Sequence, residues 1–425
     1  MEKKCYTVAI IGCGGRGGTY GGLIKDYLND RFRVVALCDI NPVLLELRKG
    51  EYGVAEDRCF EDENKFFEKK RADIIIIGTQ DKDHARMTLK GLELGYHVLE
   101  EKPICSTKEE CVKLLETQKK CGGQVFVCHV LRYAQTYKKV EELMQNGCIG
   151  KLVSLSDNEQ IWYGHFAHSY VRGNWRNTNE TAPVIIAKSC HDLDMLQHLA
   201  GAKCDTISSV GDISWFKREN APEGSADRCV DCKYMETCPY SAKRLYIDRL
   251  RRKPGYTFAR IITRPKPLTE ENVWEAIKTT GYGKCVYKCD NNVCDNQMCL
   301  MTFENGVKAV LITSAFTGNG GRVLHVNGTL GEIILDEENG TLTLKTYGKE
   351  EHDVWKNEDL IASSADKNHD GGDLGLLKAF YESLEGNHLS GTTLEDSIES
   401  HFMGFAAEES RKAGGICVKV HSEIH

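Results

Sequence analysis

The sequence predicts an α/β domain built on a parallel sheet, followed by an α+β domain with a large open, mainly antiparallel sheet. Residues 6–120 alternate short β-branched runs with stretches of helical spacing, which is typical of parallel strands joined by crossover helices. Beyond residue 150, longer strand-like runs are joined by glycine-containing turns, which favour antiparallel pairing. At about 100–200 residues per domain, the 425 residues accommodate two such units. We expect the first domain at 1–128 and the second at 129–425.

The elements of the first domain follow from the spacing of its apolar residues. Strands are predicted at Tyr6–Ile11, Arg33–Cys38, Asp73–Thr79, His97–Leu99 and Gln124–Cys128. Helices are predicted at Leu44–Arg48, Asn64–Lys70, His84–Leu94, from Ser106 to about Lys120, and at Gln135–Gln145. The residues Ser106 to Glu109 have the pattern of a capping box, which predicts the start of the helix that they precede.

The second domain is predicted to be mainly strands, interrupted by a polar, cysteine-bearing insertion at about 216–296. Strands are predicted at Lys151–Gln160, Thr206–Trp215, Gln297–Thr302, Lys308–Thr313, Val323–Val326, Thr341–Thr346 and Ile416–Val420. Helices are predicted at Gly375–Leu384 and Leu394–Lys412. The insertion has no obvious run of core residues. We therefore expect it to lack a hydrophobic core of its own and to be stabilised in another way.

The charge and composition of the chain exclude several functional classes. The 62 acidic residues outnumber the 55 basic ones, and there is no block of Lys and Arg, which argues against nucleic acid or an anionic membrane surface as the main partner. The apolar run Val8–Ile11 is too short for a signal peptide, and no stretch reaches the roughly 20 residues of a membrane span. We therefore expect a cytoplasmic protein in which most of the 19 cysteines are reduced.

A glycine-rich loop directly follows the first predicted strand and precedes a helix. Its spacing is G-x-G-x-x-G, and the residues of interest are Gly12, Gly14, Gly15, Arg16 and Gly17. Such glycines let the backbone approach a dinucleotide pyrophosphate at the helix N-terminus. Asp39 ends the second strand, where an acid can bond a ribose 2′-hydroxyl and would repel the 2′-phosphate of NADP. The pattern predicts an NAD site of the Rossmann type, in which Arg16 could contact adenine or a phosphate.

After the strand at His97, the sequence continues Glu101-Lys102-Pro103, which we call the E-K-P loop. Together with the glycine motif, this loop resembles the Gfo/Idh/MocA family, which includes glucose–fructose oxidoreductase and inositol dehydrogenase. The segments 79–84, 129–133 and 369–373 are also similar to the family, so the resemblance covers nearly the whole chain. It implies sugars, polyols or their derivatives as substrates, and a second domain that often forms oligomers, here a dimer or tetramer. It also implies a cofactor site that includes Thr79, His84, Glu101 and Lys102.

Lys102 is the first candidate catalytic residue. It follows a parallel strand, beside the crevice where a nicotinamide would lie, and its ammonium can stabilise developing alkoxide character. The alternative is a surface salt bridge with Glu100 or Glu101. The resemblance favours the catalytic role.

The resemblance implies His191 as the acid–base residue, and an imidazole titrates near neutrality. Family members commonly carry a carboxylate four residues before this histidine, but Ala187 stands there in this sequence. We expect Lys188 to replace the lost polar group, either by binding a substrate hydroxyl or by lowering the pKa of that hydroxyl. Asp192 or Asp194 could orient the imidazole.

Aromatic and polar side chains are mixed in the segment between residues 162 and 176, as in sugar-binding sites. The alternative is an aromatic-rich contact between domains. The candidate substrate-binding residues are Tyr133, His165, Tyr170, Arg172, Trp175, Lys188, His191 and His369.

The insertion contains Cys229, Cys232 and Cys238 with the spacing C-x-x-C-x5-C. These thiols could bind a structural zinc ion together with a fourth cysteine, for which Cys285, Cys289 and Cys294 are all available and Cys289 is the one named here. An iron–sulfur cluster, a reversible disulfide, and reduced thiols without a ligand are the alternatives.

Taken together, the motifs predict an NAD-dependent oxidoreductase that oxidises or reduces a secondary hydroxyl of a sugar, polyol or glycoside. One alternative is a glycosidase that recycles NAD through oxidation, elimination and reduction. Another is a non-catalytic NAD-binding sensor or regulatory protein.

Overall fold

The first sheet is parallel and has six strands in the order β3-β2-β1-β4-β5-β6. The computed structural model describes residues 4–387 and 391–421. The strands are β1 (Tyr6–Ile11), β2 (Phe32–Cys38), β3 (Cys59–Phe60), β4 (Ile74–Ile77), β5 (His97–Glu100) and β6 (Val125–Val127). The strand order reverses between β1 and β4, and in such sheets ligands bind beyond the carboxyl ends of the strands at this switch point.

Five helices connect these strands, close to where they were predicted. They are α1 (Gly15–Tyr27), α2 (Pro42–Tyr52), α3 (Glu63–Phe66), α4 (Asp81–Glu93) and α5 (Lys108–Cys121). The capping box lies one residue later than predicted, because Thr107 has the extended backbone of an N-cap and exchanges hydrogen bonds with Glu110. A disulfide joins Cys105 to Cys111 beside this cap, and the other cysteines in the described part of the chain are free.

The second sheet has nine strands in the order β14-β13-β12-β11-β7-β10-β9-β8-β15. The strands are β7 (Leu152–Trp162), β8 (Cys204–Asp212), β9 (Asn296–Phe303), β10 (Lys308–Thr317), β11 (Gly321–Gly328), β12 (Gly331–Asp336), β13 (Thr341–Thr346), β14 (Asp353–Lys356) and β15 (Val418–Lys419). Only the β7–β10 pair is parallel, which confirms the predicted, mainly antiparallel sheet. β12 and β14 were not predicted, since each is a short run between turns.

The helices that follow the first domain pack in different places, against the second sheet, within the insertion or against the first sheet. They are α6 (Gln135–Gln145), α7 (Tyr163–Phe166), α8 (Val184–Ala187), α9 (Cys190–Ala200), α10 (Arg249–Arg252), α11 (Thr257–Thr263), α12 (Glu270–Thr279), α13 (Asn357–Leu360), α14 (Gly372–Leu384) and α15 (Leu394–Lys412). Apolar side chains of α6, α9 and α15, such as Val140, Leu196 and Met403, pack against inward-facing residues of the sheet. The opposite face of the sheet is left open. None of the helices in the described residues is long and apolar enough to cross a bilayer.

The expectation that the insertion lacks a hydrophobic core was wrong. Phe216, Tyr246, Ile262 and Ile277 are buried in one cluster, together with Phe166 from the preceding segment. These apolar residues are separated by charged residues in short helices. The sequence therefore shows no continuous apolar pattern from which this core could be predicted.

The C-terminal helices tie the two domains together. Leu377 and Phe380 of α14 pack on one face of the first sheet, and Ile398 of α15 packs on the other. Thr393 forms a bridge with Phe126 of β6. The boundary between residues 128 and 129 stays a prediction, because the last helices belong to both hydrophobic cores.

Candidate active site and cofactor cleft

The glycine-rich loop between β1 and α1 is shaped for close approach of a ligand. Gly12 has φ of +86°, and a Cβ there would lie 2.5 Å from the carbonyl oxygen of Gly78, so only glycine fits. Space is open around Gly14 and Gly15. The N-terminus of α1 has no side-chain cap and no acidic residue in its first turn, so its N–H groups are available to a pyrophosphate. These residues fit a dinucleotide.

Asp39 is held against this loop at the end of β2. One carboxylate oxygen accepts a hydrogen bond from the backbone N–H of Cys13 at 2.6 Å, and the other accepts from Asn41 at 2.8 Å. The carboxylate is therefore fixed beside the glycines, where the acid of a Rossmann unit meets the adenosine ribose.

Arg16 is held by two carboxylates beside the glycine loop. Its guanidinium forms ion pairs of 2.6 Å with Glu101 of the E-K-P loop and with Asp373 of α14. His369 contacts the same Asp373 at 3.0 Å. Burial opposes ionisation, but the hydrogen bond from His369 and the Arg16 charge lower the pKa of Asp373 to about 2. This network connects the glycine loop to both domains, and it satisfies the Arg16 charge.

The E-K-P loop places Lys102 at the junction of the two domains. The Lys102 ammonium donates a hydrogen bond of 2.9 Å to the carbonyl oxygen of Ala187, at the end of α8. Beneath it, His84 lies 2.7 Å from the Pro103 carbonyl oxygen, which holds the loop in place. None of the ion pairs within the described ranges includes Lys102. The alternative salt bridge with Glu100 or Glu101 is therefore not formed among these residues. A backbone carbonyl contacts Lys102 at the position where the family commonly has a carboxylate.

His191 lies in the first turn of α9, with its Nδ1 atom buried and without a hydrogen-bond partner among residues 4–387 and 391–421. Burial and the nearby Lys102 charge lower the pKa of His191 well below its usual value. The ring is therefore neutral. Neither candidate carboxylate orients it, because Arg322 binds Asp192 and Arg132 binds Asp194 through two hydrogen bonds.

Most of the predicted site residues line one cavity of about 320 Å³ between the domains. The predicted residues in its lining are Arg16, Thr79, His84, Glu101, Lys102, His165, Tyr170, Trp175, Lys188, His191 and His369. The sequence analysis missed Asp81 and Arg322, which line the same cavity. Asp81 lies within the segment 79–84 and accepts a hydrogen bond from Trp175 at 3.1 Å, so its place in that segment was a usable signal. Arg322 flanks a predicted strand and gave no signal.

Tyr133 and Arg172 do not line this cavity. The Tyr133 hydroxyl accepts a hydrogen bond of 3.0 Å from the backbone N–H of Thr392. Arg172 ends a π-helical segment, Ala167–Arg172, and its guanidinium donates to the carbonyl oxygens of Lys284 and Tyr240 in the insertion. Tyr170 of the same segment faces the cavity, so the side chains of Tyr170 and Arg172 lie on opposite sides of the segment.

Lys188 lies above a buried group of charges. It contacts Glu159 of β7, and Ser189 and Arg322 bond the same carboxylate at 2.6 and 3.3 Å. Burial alone would raise the pKa of Glu159, but the Lys188 and Arg322 charges lower it to about 2. Burial raises the pKa of Asp192, the second partner of Arg322, to about 6. The cations below the cavity are therefore balanced by carboxylates.

The four predicted zinc ligands do not all lie at one site. Cys229, Cys232 and Cys238 line one small cavity inside the insertion, and Cys285 is part of the same lining. Cys289 is outside this lining and donates its thiol hydrogen bond to the Cys285 carbonyl oxygen. As placed in the described part of the chain, no three His, Cys, Asp or Glu side chains form a group that could hold a metal ion, so the zinc prediction is not supported by this arrangement.

Two curated proteins are similar to about half of this chain. A 2,7-anhydro-N-acetylneuraminate hydratase of Escherichia coli (strain K12) is 23% identical over 46% of this chain and 50% of its own length. A myo-inositol 2-dehydrogenase of Thermotoga maritima is 20% identical over 52% of this chain and 63% of its own. The chain thus spans little more than half the length of these relatives.

A solved oxidoreductase of Agrobacterium radiobacter, in complex with NAD⁺, L-tartaric acid and magnesium, superimposes with a TM-score of 0.69. The alignment covers 98% of both chains at 16% identity, so it shows the shared fold.

Two family models match consecutive parts of the chain. The model described as oxidoreductase family, NAD-binding Rossmann fold, matches residues 6–129. The model described as oxidoreductase family, C-terminal alpha/beta domain, matches residues 141–420. With both domain models matched over most of its length, the chain belongs to the Gfo/Idh/MocA oxidoreductase family.

Proposed function

We propose that the protein is an NAD-dependent oxidoreductase that acts on a secondary hydroxyl of a sugar, polyol or glycoside. The observation that carries this proposal is the cavity of about 320 Å³ shared by Lys102, His191 and the rings of Tyr170 and Trp175. The cavity lies beyond the carboxyl ends of the parallel strands, where a dinucleotide held by the glycine loop would present its nicotinamide. Its size is at the lower end of small-molecule pockets, which span roughly 300–1,000 Å³.

The reacting oxygen would be held by Lys102 and deprotonated by His191. An ammonium has three donors, and Ala187 accepts from Lys102, so further donors are available to a substrate oxygen. Because Nδ1 of His191 is sealed in the interior, Nε2 is the atom that takes the hydroxyl proton. Bound NAD would supply the hydride acceptor. The Lys102 charge then stabilises the oxygen as negative charge develops on it.

The lining favours an uncharged, polyhydroxylated substrate. Lys188, Arg322 and Arg16 are each paired with buried carboxylates, so they do not demand an anionic ligand. Burial and the Lys188 charge lower the pKa of His165 to about 3, so its neutral ring can donate and accept hydrogen bonds to hydroxyls. The ring of Tyr170 is available to the apolar face of a sugar. A myo-inositol dehydrogenase among the relatives acts on a substrate of this chemical class.

The second candidate is the glycosidase that oxidises its substrate, eliminates the glycosidic bond and reduces the product again on the same NAD. The hydratase among the relatives supports it, because a hydration involves no net oxidation. Lys102 and His191 would take the same roles in both reactions.

A screen of sugars and glycosides with the purified protein tests both candidates, if NADH and released aglycone are followed together. Lys102→Met should lower turnover by at least about a hundredfold, since it removes the donor to the developing oxyanion, and should keep NAD binding. Lys113→Met, on the exposed side of α5, is the matched control and should change neither. NADH formation in step with substrate identifies a dehydrogenase, and aglycone release over many turnovers without added NAD identifies the glycosidase. Full turnover by Lys102→Met contradicts the mechanism, and NAD binding without any turnover favours the sensor.

We also propose that the protein forms a homo-oligomer through the open face of the nine-stranded sheet. Val210, Met298 and Ile312 lie side by side on β8, β9 and β10, with Leu300 and Val310 in the next row. Met298 is 49% exposed and Leu300 62% exposed, so this face presents an apolar surface to solvent. The cytoplasmic location and the lack of a nucleic-acid partner stay predictions of the sequence.

A further inference from the structure

Four cysteine side chains converge inside the insertion, away from the active-site cavity. Cys229, Cys232, Cys238 and Cys285, which we call the thiol cluster, line one cavity of about 20 Å³. All four are free thiols. A cavity of about 10–15 Å³ holds one water-sized sphere, so the space suits a single small occupant.

Backbone contacts bring the four positions together from two separate segments. Cys229 starts a single turn, and the N–H of Cys232 donates to its carbonyl oxygen at 3.2 Å. Arg228 forms an antiparallel bridge with Lys284, and the N–H of Cys285 donates to the carbonyl oxygen of Asp227 at 2.8 Å. The bridge therefore sets the fourth thiol beside the first.

A backbone hydrogen-bond donor lies close to the sulfur of Cys229. The backbone N–H of Ala242 lies 3.4 Å from Sγ of Cys229. N–H donors stabilise a thiolate more than a neutral thiol, because the bond is charge-assisted.

The guanidinium of Arg172 places a buried positive charge beside the thiol cluster. It is buried, and its Nη2 lies 3.5 Å from Sγ of Cys229. Its other bonds go to backbone carbonyls, and within the described ranges its Nη1 has no partner. A buried cation without an anion is strongly unfavourable. Thiolates at the cluster would provide the missing negative charge.

We propose that the thiol cluster binds one Zn²⁺ ion through four cysteine thiolates. Binding replaces four S–H bonds with four Zn–S bonds and releases four protons, which leaves a site of charge −2 that Arg172 half neutralises. Zn–S bonds of about 2.3 Å require the sulfurs to move inward from their present spacing, around the space that they already enclose.

The ion would support the substrate side of the active site. Arg172 belongs to the same π-helical segment as Ser169 and Tyr170, which line the active-site cavity. Loss of the metal should therefore disturb this segment and raise KM for the substrate, while the glycine loop and NAD binding stay intact. The KM effect rests on the proposed function, whereas metal binding does not.

The test is the metal content of the purified full-length chain, measured by plasma mass spectrometry beside a count of accessible thiols. We expect one zinc per chain, and cobalt substitution should give the strong thiolate-to-cobalt charge-transfer absorption. Cys285→Ser should lose the metal, and Cys289→Ser, four residues away and outside the cluster, should keep it. NAD titration of both variants shows whether the first domain still folds, and Cys232→Ser provides a second ligand variant.

Several outcomes would overturn the proposal. They are a chain with no metal whose four thiols react freely, a chain with iron and acid-labile sulfide, and a disulfide within the cluster. Retention of zinc by Cys285→Ser would overturn the ligand assignment. If Cys285→Ser does not fold, the metal content and cobalt spectrum of the unaltered chain decide by themselves.

Discussion

Replacing Glu159 by glutamine should destabilise the protein by about 3 kcal/mol at neutral pH. Glu159 is 1% exposed and is bonded by Lys188, Ser189 and Arg322. Against the effect of burial, the two cations lower its pKa from 4.5 to about 2. At about 1.36 kcal/mol per pKa unit, this shift corresponds to about 3 kcal/mol. Breaking a buried ion pair by removing one partner typically destabilises by about 3–5 kcal/mol, which agrees.

The pH dependence of this effect has a definite sign. Because the folded-state pKa is depressed, the Glu159 contribution is fully present above pH 4.5 and is lost as the pH falls from 4.5 to about 2. The difference in unfolding free energy between the unaltered chain and Glu159→Gln should therefore be constant near neutrality and shrink in acid.

Urea unfolding at several pH values measures the difference. Glu56→Gln is the control, because Glu56 forms an exposed ion pair with Lys49, and such pairs contribute little. Adding Lys188→Met to Glu159→Gln should recover part of the loss, since it removes the cation left without its partner. The reasoning would be refuted if Glu159→Gln lowered the free energy of unfolding no more than Glu56→Gln does. It would also be refuted if the double variant were less stable than Glu159→Gln alone.

Two further predictions concern the cofactor and the assembly. Asp39→Ser should weaken NAD binding by about tenfold or more, since hydrogen bonds to charged groups contribute about 1.5–3 kcal/mol, and should relax the preference over NADP. Calorimetric titration with both cofactors checks this, and an unchanged ratio of affinities would show that Asp39 does not meet the ribose. Met298→Asp should convert the oligomer to a monomer with NAD binding unchanged, as followed by sedimentation velocity. A monomeric unaltered chain would exclude self-association through this sheet face.

Local patterns in the sequence predicted five of the six strands of the first sheet, and the two-residue strand β3 was missed. β1 has its predicted bounds, Tyr6–Ile11, because a strand and its flanking turn depend on contiguous residues. The same holds for α15, Leu394–Lys412, and for the glycine loop with Asp39, whose motif spacing is measured along one short stretch of chain. Lys102 and His191 were found because their neighbours resemble a known family.

Side-chain partners that come from distant segments could not be found in this way. The direction of Arg172, away from the cavity that Tyr170 lines, depends on a π-helical turn and on carbonyl oxygens more than sixty residues away. The bond between Lys188 and Glu159 likewise joins α8 and β7 only after both are packed.

The sequence by itself therefore determined the fold class, the glycine loop, the E-K-P loop and the presence of three closely spaced thiols. Tertiary structure alone decided that Arg16 pairs with Glu101 and Asp373, and that Cys285 instead of Cys289 faces the other three cysteines. The physical reason is that periodicity and motif spacing are local, whereas a buried charge or thiol takes its partners from whichever segments the packing brings within hydrogen-bond distance.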